Sequence, residues 1–237
     1  MINRAVIPNL FTIGNLFCGF LALRYVVEGR YGSAAWLIVL AGALDNMDGR
    51  LARLMGRDSA FGIEFDSLAD VCTFGVVPAL MLYHSLLPSG WGAALACVFL
   101  LCGVLRLARY NVMAHESGKS EFFTGLPIPA AAVALTQFIV FTEHSWSTDH
   151  AAHFGIALTV CLAALMVSRV EYDGMPGFRS NGFRDRFKQA FLVAAVVLIV
   201  LPATSKDWFF PLVLFYLVSG VYRWVAGVFS DEVTQHA

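Results

Sequence analysis

Long apolar segments alternate with short polar breaks along almost the whole chain. A helix that crosses a lipid bilayer needs about 20 mostly apolar residues, with roughly 17–25 tolerated. The breaks between the segments carry turn-forming residues, as at Pro88-Ser89-Gly90. The pattern predicts about eight membrane-spanning helices, arranged as a six-helix core followed by a C-terminal pair. They cover residues 10–27, 33–47, 68–87, 91–107, 128–142, 151–170, 190–204 and 208–228.

Composition supports a membrane protein and excludes other classes. Apolar residues make up 58% of the 237 residues and charged residues 14%, whereas soluble domains average about 45–50% and about 25%. The 16 Lys and Arg balance 17 Asp and Glu, so no basic excess indicates nucleic-acid binding. We therefore expect an all-α polytopic protein in contact with membrane lipids, with residues 1–237 forming a single domain.

The basic residues are divided unequally between the two sides that eight spans would define. Only Arg24, Arg30 and Lys206 fall on one side, and the other Lys and Arg residues fall on the opposite side. Because Lys and Arg are enriched in cytoplasmic loops, we expect both termini to be cytoplasmic. This orientation predicts a multi-pass protein of the inner (cytoplasmic) membrane.

Four aspartates interrupt the apolar pattern at the ends of two adjacent spans. Asp45 and Asp48 are three residues apart at the end of the second span, and Asp66 and Asp70 are four residues apart at the start of the third. Each pair therefore shares one helix face, and antiparallel spans would let the two faces meet. An aspartate at the centre of a membrane helix costs about 2.5–3.5 kcal/mol, which points to a functional reason for retaining four.

Converging carboxylates need a neutralising partner. Two unit charges about 4 Å apart repel by about 4 kcal/mol at an effective dielectric constant of about 20. Oxygen ligands without His or Cys suit Mg²⁺ or Mn²⁺, and four carboxylates could hold two such ions bridging phosphate oxygens. The alternatives are helix capping or pairing with nearby arginines. A cation transporter is a further alternative, although no second carboxylate-bearing half indicates an inverted repeat.

The spacing around these aspartates resembles the signature of the CDP-alcohol phosphotransferase family at every fixed position. The matching run is Asp45-x2-Asp48-Gly49-x2-Ala52-Arg53-x8-Gly62-x3-Asp66-x3-Asp70. Members of that family transfer a phosphate-linked group from a CDP-alcohol to a second alcohol and release CMP. The resemblance covers the chain from about Pro8 to at least Ala132, and it also suggests a homodimer.

The resemblance implies roles for individual residues. Asp45, Asp48, Asp66 and Asp70 would be the ligands of Mg²⁺ or Mn²⁺, and Asp70 would also be the catalytic general base. The implied contacts to CDP-diacylglycerol are Gly49, Ala52, Arg53, Ser59, Gly62 and Asn15. For Ser59, a role as the N-terminal cap of the third span is an equally open alternative.

Further segments resemble members of this family whose acceptor alcohol is serine. They are residues 8–15, 65–70, 74–79, 106–111 and 123–132. The implied reaction transfers the phosphatidyl group of CDP-diacylglycerol to L-serine, giving phosphatidylserine and CMP. The acceptors that stay open are glycerol 3-phosphate, inositol phosphate and choline. A phosphorylated acceptor would need an additional basic cluster, which Arg179, Arg184 and Arg186 could supply.

Two arginines are candidates for binding the serine carboxylate. Arg106 and Arg109 are three residues apart at the predicted cytoplasmic end of the fourth span. Arginine binds a carboxylate through two parallel hydrogen bonds. Anchoring at the membrane interface or contact with phosphate is the alternative role for either residue.

Overall fold

The chain folds into helices that follow one another through short connections. The computed structural model describes residues 6–55, 60–117, 123–145, 147–168, 170–172, 210–211, 213–215 and 218. The helices are α1 (Val6–Val27), α2 (Tyr31–Met55), α3 (Ala60–Asp70), α4 (Val77–Ser85), α5 (Gly90–Ser117), α6 (Ile128–Ser145) and α7 (Thr148–Val167). A π-helical turn (Val71–Val76), here called the π segment, joins α3 to α4 without a break. Two short strands, β1 (Phe123–Thr124) and β2 (Glu171–Tyr172), pair antiparallel.

Four described helical segments are long and apolar enough to cross a membrane. They are Asn9–Val27, Phe61–Ser85, Gly90–Met113 and Asp149–Val167, and a shorter apolar helix covers Ile128–Glu143. The predicted all-helical membrane class is thereby confirmed for the described residues. The count of eight spans and the orientation of the termini stay predictions, because the seventh span and most of the eighth lie outside the described residues.

Several helices are longer than the apolar runs that predicted them. Helix α2 continues to Met55 instead of ending near residue 47, and α3 begins at Ala60 instead of near residue 68. Hydropathy marks the part of a helix that lipid can cover, whereas the backbone hydrogen bonds continue into the polar residues beyond it. The aspartates lie at the ends of the predicted apolar runs, but the helices continue past those runs. Asp45 and Asp48 lie inside α2, and Asp66 and Asp70 lie in the second half of α3.

A tight turn folds α1 back against α2. Gly29 has a positive φ of 72°. Its N–H donates to the carbonyl of Val26 at 3.0 Å, and the N–H of Arg30 donates to the carbonyl of Tyr25 at 2.8 Å. These two bonds form the Schellman ending that glycine favours at helix C-termini. The buried alanines of the two helices allow close packing, as small residues do in membranes; they are Ala22, Ala34, Ala35 and Ala41.

Helix α1 packs against both of the helices that carry the aspartates. It packs against α2, α3, the π segment and α4, whereas α2 and α3 make few contacts with each other within the described ranges. The contact between α1 and the π segment is especially close at Gly19. A Cβ atom at Gly19 would lie 3.1 Å from the Cα atom of Thr73. Glycine is therefore required for α1 to approach at this depth.

Large apolar side chains lie both inside and outside the bundle. Phe74, Phe99 and Leu135 are fully buried. On the outer surface, Phe20 of α1 is 66% exposed and Trp91 of α5 is 89% exposed. Large apolar side chains exposed to this degree are unfavourable in water, and they suit a bundle surrounded by lipid.

Candidate active site

Three of the predicted aspartates converge between α2 and α3. One carboxylate oxygen from each of Asp45, Asp48 and Asp66 lies within 4.8 Å of the other two. Asp48 is only 4% exposed, and the other two are half-buried. The structure thus brings together the two helix faces that the residue spacing predicts to meet.

Asp70 lies beside this three-residue cluster and has its own hydrogen-bond donor on α1. It is 6% exposed, and its Oδ1 accepts a hydrogen bond of 3.0 Å from Nδ2 of Asn15. Its carboxyl group also interacts electrostatically with Asp45 and Asp66. All four aspartates therefore form one connected group of acidic side chains, with Asp70 next to the π segment.

The cluster carries more negative charge than the described side chains neutralise. Where the structure describes Lys and Arg side chains, none forms a salt bridge with these aspartates. Arg106 interacts electrostatically with Asp70 and Asp45, but one cation cannot balance four carboxylates. Oδ1 of Asp66 is buried without a described hydrogen-bond donor. An oxygen-only donor set with an unused buried acceptor fits a hard divalent cation such as Mg²⁺ or Mn²⁺.

Helix α1 contributes two polar side chains that reach the site. The Thr12 hydroxyl donates to Oδ2 of Asp48 at 3.1 Å, and Asn15 donates to Asp70 as described above. The Thr73 hydroxyl donates to the backbone carbonyl of Asn15 at 3.3 Å. Sequence reasoning gave Thr12 no role. The available signal was that Thr12 and Asn15, three residues apart, are polar in a mostly apolar helix.

The two arginines predicted to act together point to different partners. Arg106 is 6% exposed, its guanidinium lies 5.6 Å from the centre of the Tyr110 ring, and its Nε has no described hydrogen-bond partner. Arg109 donates to the carbonyls of Val167 at 3.0 Å and Ser168 at 3.2 Å. Arg106 is therefore buried beside Tyr110 and interacts electrostatically with Asp70 and Asp45, whereas Arg109 binds the C-terminal end of α7.

A further hydrogen bond connects α5 with α3. Nδ2 of Asn111 donates to the hydroxyl of Ser67 at 2.9 Å. Ser67 directly follows Asp66, so this bond fixes α5 beside the aspartate-bearing face of α3. Both residues lie in segments that resemble the serine-accepting members of the family, although sequence reasoning gave neither of them a role.

The predicted nucleotide contacts are described in part. Gly49 is exposed, and a Cβ atom there would have no neighbour within 4 Å. Gly62 is half-buried near the start of α3. Only the backbone of Ala52 and Arg53 is described, within α2, and Ser59 lies outside the described residues. The open space at Gly49 directly adjoins Asp48 in the sequence.

Comparison with known proteins decides the family. The family model described as CDP-alcohol phosphatidyltransferase matches residues 5–168, which contain all four aspartates and both arginines. The chain belongs to this family. The family resemblance predicted from the aspartate signature is thereby confirmed, and the match extends well beyond the signature itself.

Relatives within the family cover most of the sequence. A CDP-diacylglycerol–serine O-phosphatidyltransferase of Helicobacter pylori is 34% identical over 224 residues, which are 92% of this chain and 90% of the relative. The enzyme of that name from Mycobacterium tuberculosis is 37% identical over 185 residues, covering 73% and 63% of the two chains. An archaetidylserine synthase of Methanothermobacter thermautotrophicus is 36% identical over 178 residues, covering 74% and 72%.

Proposed function

We propose that this chain transfers the phosphatidyl group of CDP-diacylglycerol to the hydroxyl of L-serine, a step of phospholipid biosynthesis that gives phosphatidylserine and CMP. The observation that carries the proposal is the convergence of Asp45, Asp48 and Asp66 beside Asp70. Support for serine comes from similarity over most of the chain to enzymes named for this reaction.

In the proposed reaction Asp70 is the general base. Its carboxylate takes the proton of the serine hydroxyl, and the serine oxygen forms a bond to the phosphorus that carries diacylglycerol. The bond from that phosphorus to the bridging oxygen breaks, and CMP leaves with the electron pair. A base must lie within hydrogen-bond reach of the attacking hydroxyl. Asn15 donates to Oδ1 of Asp70, so in this proposal Oδ2 takes up the serine proton.

Asp45, Asp48 and Asp66, together with Asp70, would hold one or two Mg²⁺ or Mn²⁺ ions. When bound, such ions neutralise the charge of the diphosphate and stabilise the leaving group. The orphaned buried oxygen of Asp66 supports this assignment.

The CDP group would lie beside the α2 face of the cluster. The space around Gly49 allows a phosphate to approach the backbone closely, and Arg53 would balance phosphate charge. Ala52, Ser59 and Gly62 complete the proposed contacts. For Asn15, full burial and the bond to Asp70 support an indirect role, developed in the next section.

Arg106 is the better candidate for binding the serine carboxylate. Its Nε has no described partner, and it interacts electrostatically with Asp70, the proposed base. A two-point bond from Arg106 would orient serine with its hydroxyl toward Asp70. Arg109 is engaged by backbone carbonyls of the α7 end, so we assign it to holding α7 in place.

The test is CMP release by the purified protein with CDP-diacylglycerol and Mn²⁺ or Mg²⁺. L-serine, glycerol 3-phosphate, inositol phosphate and choline are supplied in parallel, and each reaction is repeated with EDTA. We expect release with serine alone and none with EDTA. Release only with another acceptor would overturn the serine assignment. No release with any acceptor, from protein with a normal thermal unfolding transition, would overturn the proposed activity.

We further propose one membrane domain with eight spans, both termini and the active site on the cytoplasmic side, and a homodimeric assembly. In support, only Arg24, Arg30 and Lys206 among the Lys and Arg residues fall on the predicted non-cytoplasmic side. Alkaline phosphatase fused after Gly29 should be active, and the same enzyme fused after Lys119 should be inactive. The reverse pattern would invert the topology. Native mass spectrometry of the detergent-solubilised protein tests the dimer.

A further inference from the structure

We propose that α1 is part of the active site, and that Thr12 and Asn15 act as positioning residues for the carboxylates of α2 and α3. We call this pair the α1 bracket. This proposal depends on the proposed function only in the experiments that measure catalytic activity. Its central claim is that two neutral donors on one helix set the relative position of Asp48 and Asp70.

The geometry of the α1 bracket is a pair of buried hydrogen bonds to two different helices. Thr12 donates to Asp48 of α2 at 3.1 Å, and Asn15 donates to Asp70 of α3 at 3.0 Å. Thr12 is 3% exposed and Asn15 is 0% exposed. Because they are three residues apart, both side chains project from the same face of α1.

The packing of the helices gives α1 the position that such a role requires. Helix α1 packs on both aspartate-bearing helices, which contact each other little in the ranges that the structure describes. The bond from Thr73 to the carbonyl of Asn15 and the close approach at Gly19 fix α1 against the π segment. The distance between Asp48 and Asp70 therefore depends on α1.

The choice of neutral donors matters chemically. A Lys or Arg at either position would neutralise a carboxylate and compete with a metal ion for it. An N–H or O–H donor fixes one oxygen of the carboxylate and leaves the negative charge available to a cation. Groups that hydrogen-bond the ligands of a metal ion orient those ligands, and their loss typically costs about 10–100-fold in metal affinity or activity.

The experiment compares matched substitutions in the full-length protein purified in detergent. Thr12→Val removes the hydroxyl at nearly constant volume, Thr12→Ser keeps it, and Asn15→Leu removes the amide. Thr136→Val is the control, because Thr136 is also fully buried but donates to the carbonyl of Ala132 in its own helix at 2.8 Å. Mn²⁺ binding without substrates is measured by electron paramagnetic resonance. The Mn²⁺ dependence of serine-dependent CMP release is measured separately.

We expect Thr12→Val and Asn15→Leu each to weaken Mn²⁺ binding about tenfold or more. Thr12→Ser should bind Mn²⁺ within about threefold of wild type, and Thr136→Val should be unchanged, because neither substitution removes a donor between helices. The Mn²⁺ concentration for half-maximal CMP release should shift in parallel. Thermal unfolding in the absence of metal separates loss of positioning from loss of fold.

Three results would overturn the α1 bracket: unchanged Mn²⁺ binding in Thr12→Val, equal weakening in Thr12→Ser, or no Mn²⁺ binding by the wild type. If Asn15→Leu does not fold, the Thr12 series decides alone. If Mn²⁺ binding follows the expected pattern but wild type releases no CMP with any acceptor, the bracket stands and the proposed function fails. If wild type releases CMP with serine but Thr12→Val binds Mn²⁺ normally, the proposed function stands and the bracket fails.

Discussion

Buried polar side chains are used differently in two regions of the molecule. Around the aspartates they bond from one helix to another, as Thr12 does to Asp48 and Asn15 to Asp70; the half-buried Asn111 likewise bonds to Ser67. In α6 and α7 the buried threonines bond within their own helix. Thr136, Thr142 and Thr159 donate to the carbonyls of Ala132, Phe138 and Gly155. Bonds between helices define a relative position, whereas bonds within one helix only satisfy a polar atom.

This difference has an energetic side. A helix carbonyl that loses a threonine hydroxyl keeps its backbone N–H partner, so little is left unsatisfied. A buried carboxylate has no such guaranteed backbone partner, and an unsatisfied buried group costs about 1–3 kcal/mol, or more when it is charged. Substitutions near the aspartates should therefore have far larger effects than the same substitutions in α6 and α7.

The largest effect is expected at the proposed base. Asp70→Asn keeps the shape of the side chain and an oxygen for the Asn15 donor, but it cannot take up the serine proton. We expect kcat for CMP release to fall by about 10³-fold, within the range for loss of a general base. Purified variant and wild type should show similar thermal unfolding midpoints. Residual activity above about a tenth of wild type would contradict the base assignment.

The next effect separates the two arginines of α5. Arg106→Lys should raise the KM for serine about tenfold or more, because lysine cannot form the two-point bond to a carboxylate. The KM for CDP-diacylglycerol should hardly change.

Arg109→Lys provides the matched comparison for Arg106→Lys. It should lower the thermal unfolding midpoint, because Arg109 holds the carbonyls of Val167 and Ser168. The KM for serine should stay near the wild-type value. A raised serine KM in Arg109→Lys, with no change in Arg106→Lys, would reverse the assignment.

A smaller effect is expected where α1 meets the π segment. Gly19→Ala would place a methyl group against Thr73, and overpacking of this kind typically costs about 1–3 kcal/mol of stability. Because Asn15 lies one turn away, kcat should also fall by a few-fold. Gly32→Ala is the control, because a Cβ atom there meets nothing within 4 Å. Equal stability and activity of the two variants would show that the close approach is not required.

The smallest effects belong to the buried threonines of the second region. Thr142→Val and Thr159→Val should each keep CMP release within about twofold of wild type, since only a bond within one helix is lost. Activity and thermal unfolding are measured side by side with Thr12→Val. A tenfold loss of activity in either variant would remove the distinction between the two regions.

The aspartate cluster was predictable because it depends on the spacing of residues within a single helix. Asp45 and Asp48 share a face by their spacing, and so do Asp66 and Asp70, so the sequence shows which carboxylates can face one another across an antiparallel pair of helices. The membrane class was predictable for the same kind of reason, since apolar runs of sufficient length identify spans one at a time. Helix bounds were less accurate, because α2 continues through polar residues as far as Met55.

The remaining features depend on contacts between distant residues. Thr12 and Asp48 are 36 positions apart, and Asn15 and Asp70 are 55 positions apart. No local spacing indicates which donor meets which carboxylate. Arg106 and Arg109 likewise looked equivalent from their spacing, and only the position of the α7 carbonyls separates them. The π segment has no sequence signal of its own, because its residues are as apolar as those of the helix around it.

The π segment affects the direction in which the aspartates of α3 point relative to the side chains of α4. It begins immediately after Asp70, and a π turn takes one more residue per hydrogen-bonded loop than an α turn does. Each residue advances an α-helix by about 100°. Deleting one residue between Val71 and Val76 would let this stretch close as an ordinary α turn, so Asp66 and Asp70 would rotate little relative to α4. Deleting one residue inside α4, which has no extra residue to lose, would rotate Asp66 and Asp70 by about 100° relative to the rest of α4. The same carboxylates would then be present in full number and would no longer face Asp45 and Asp48.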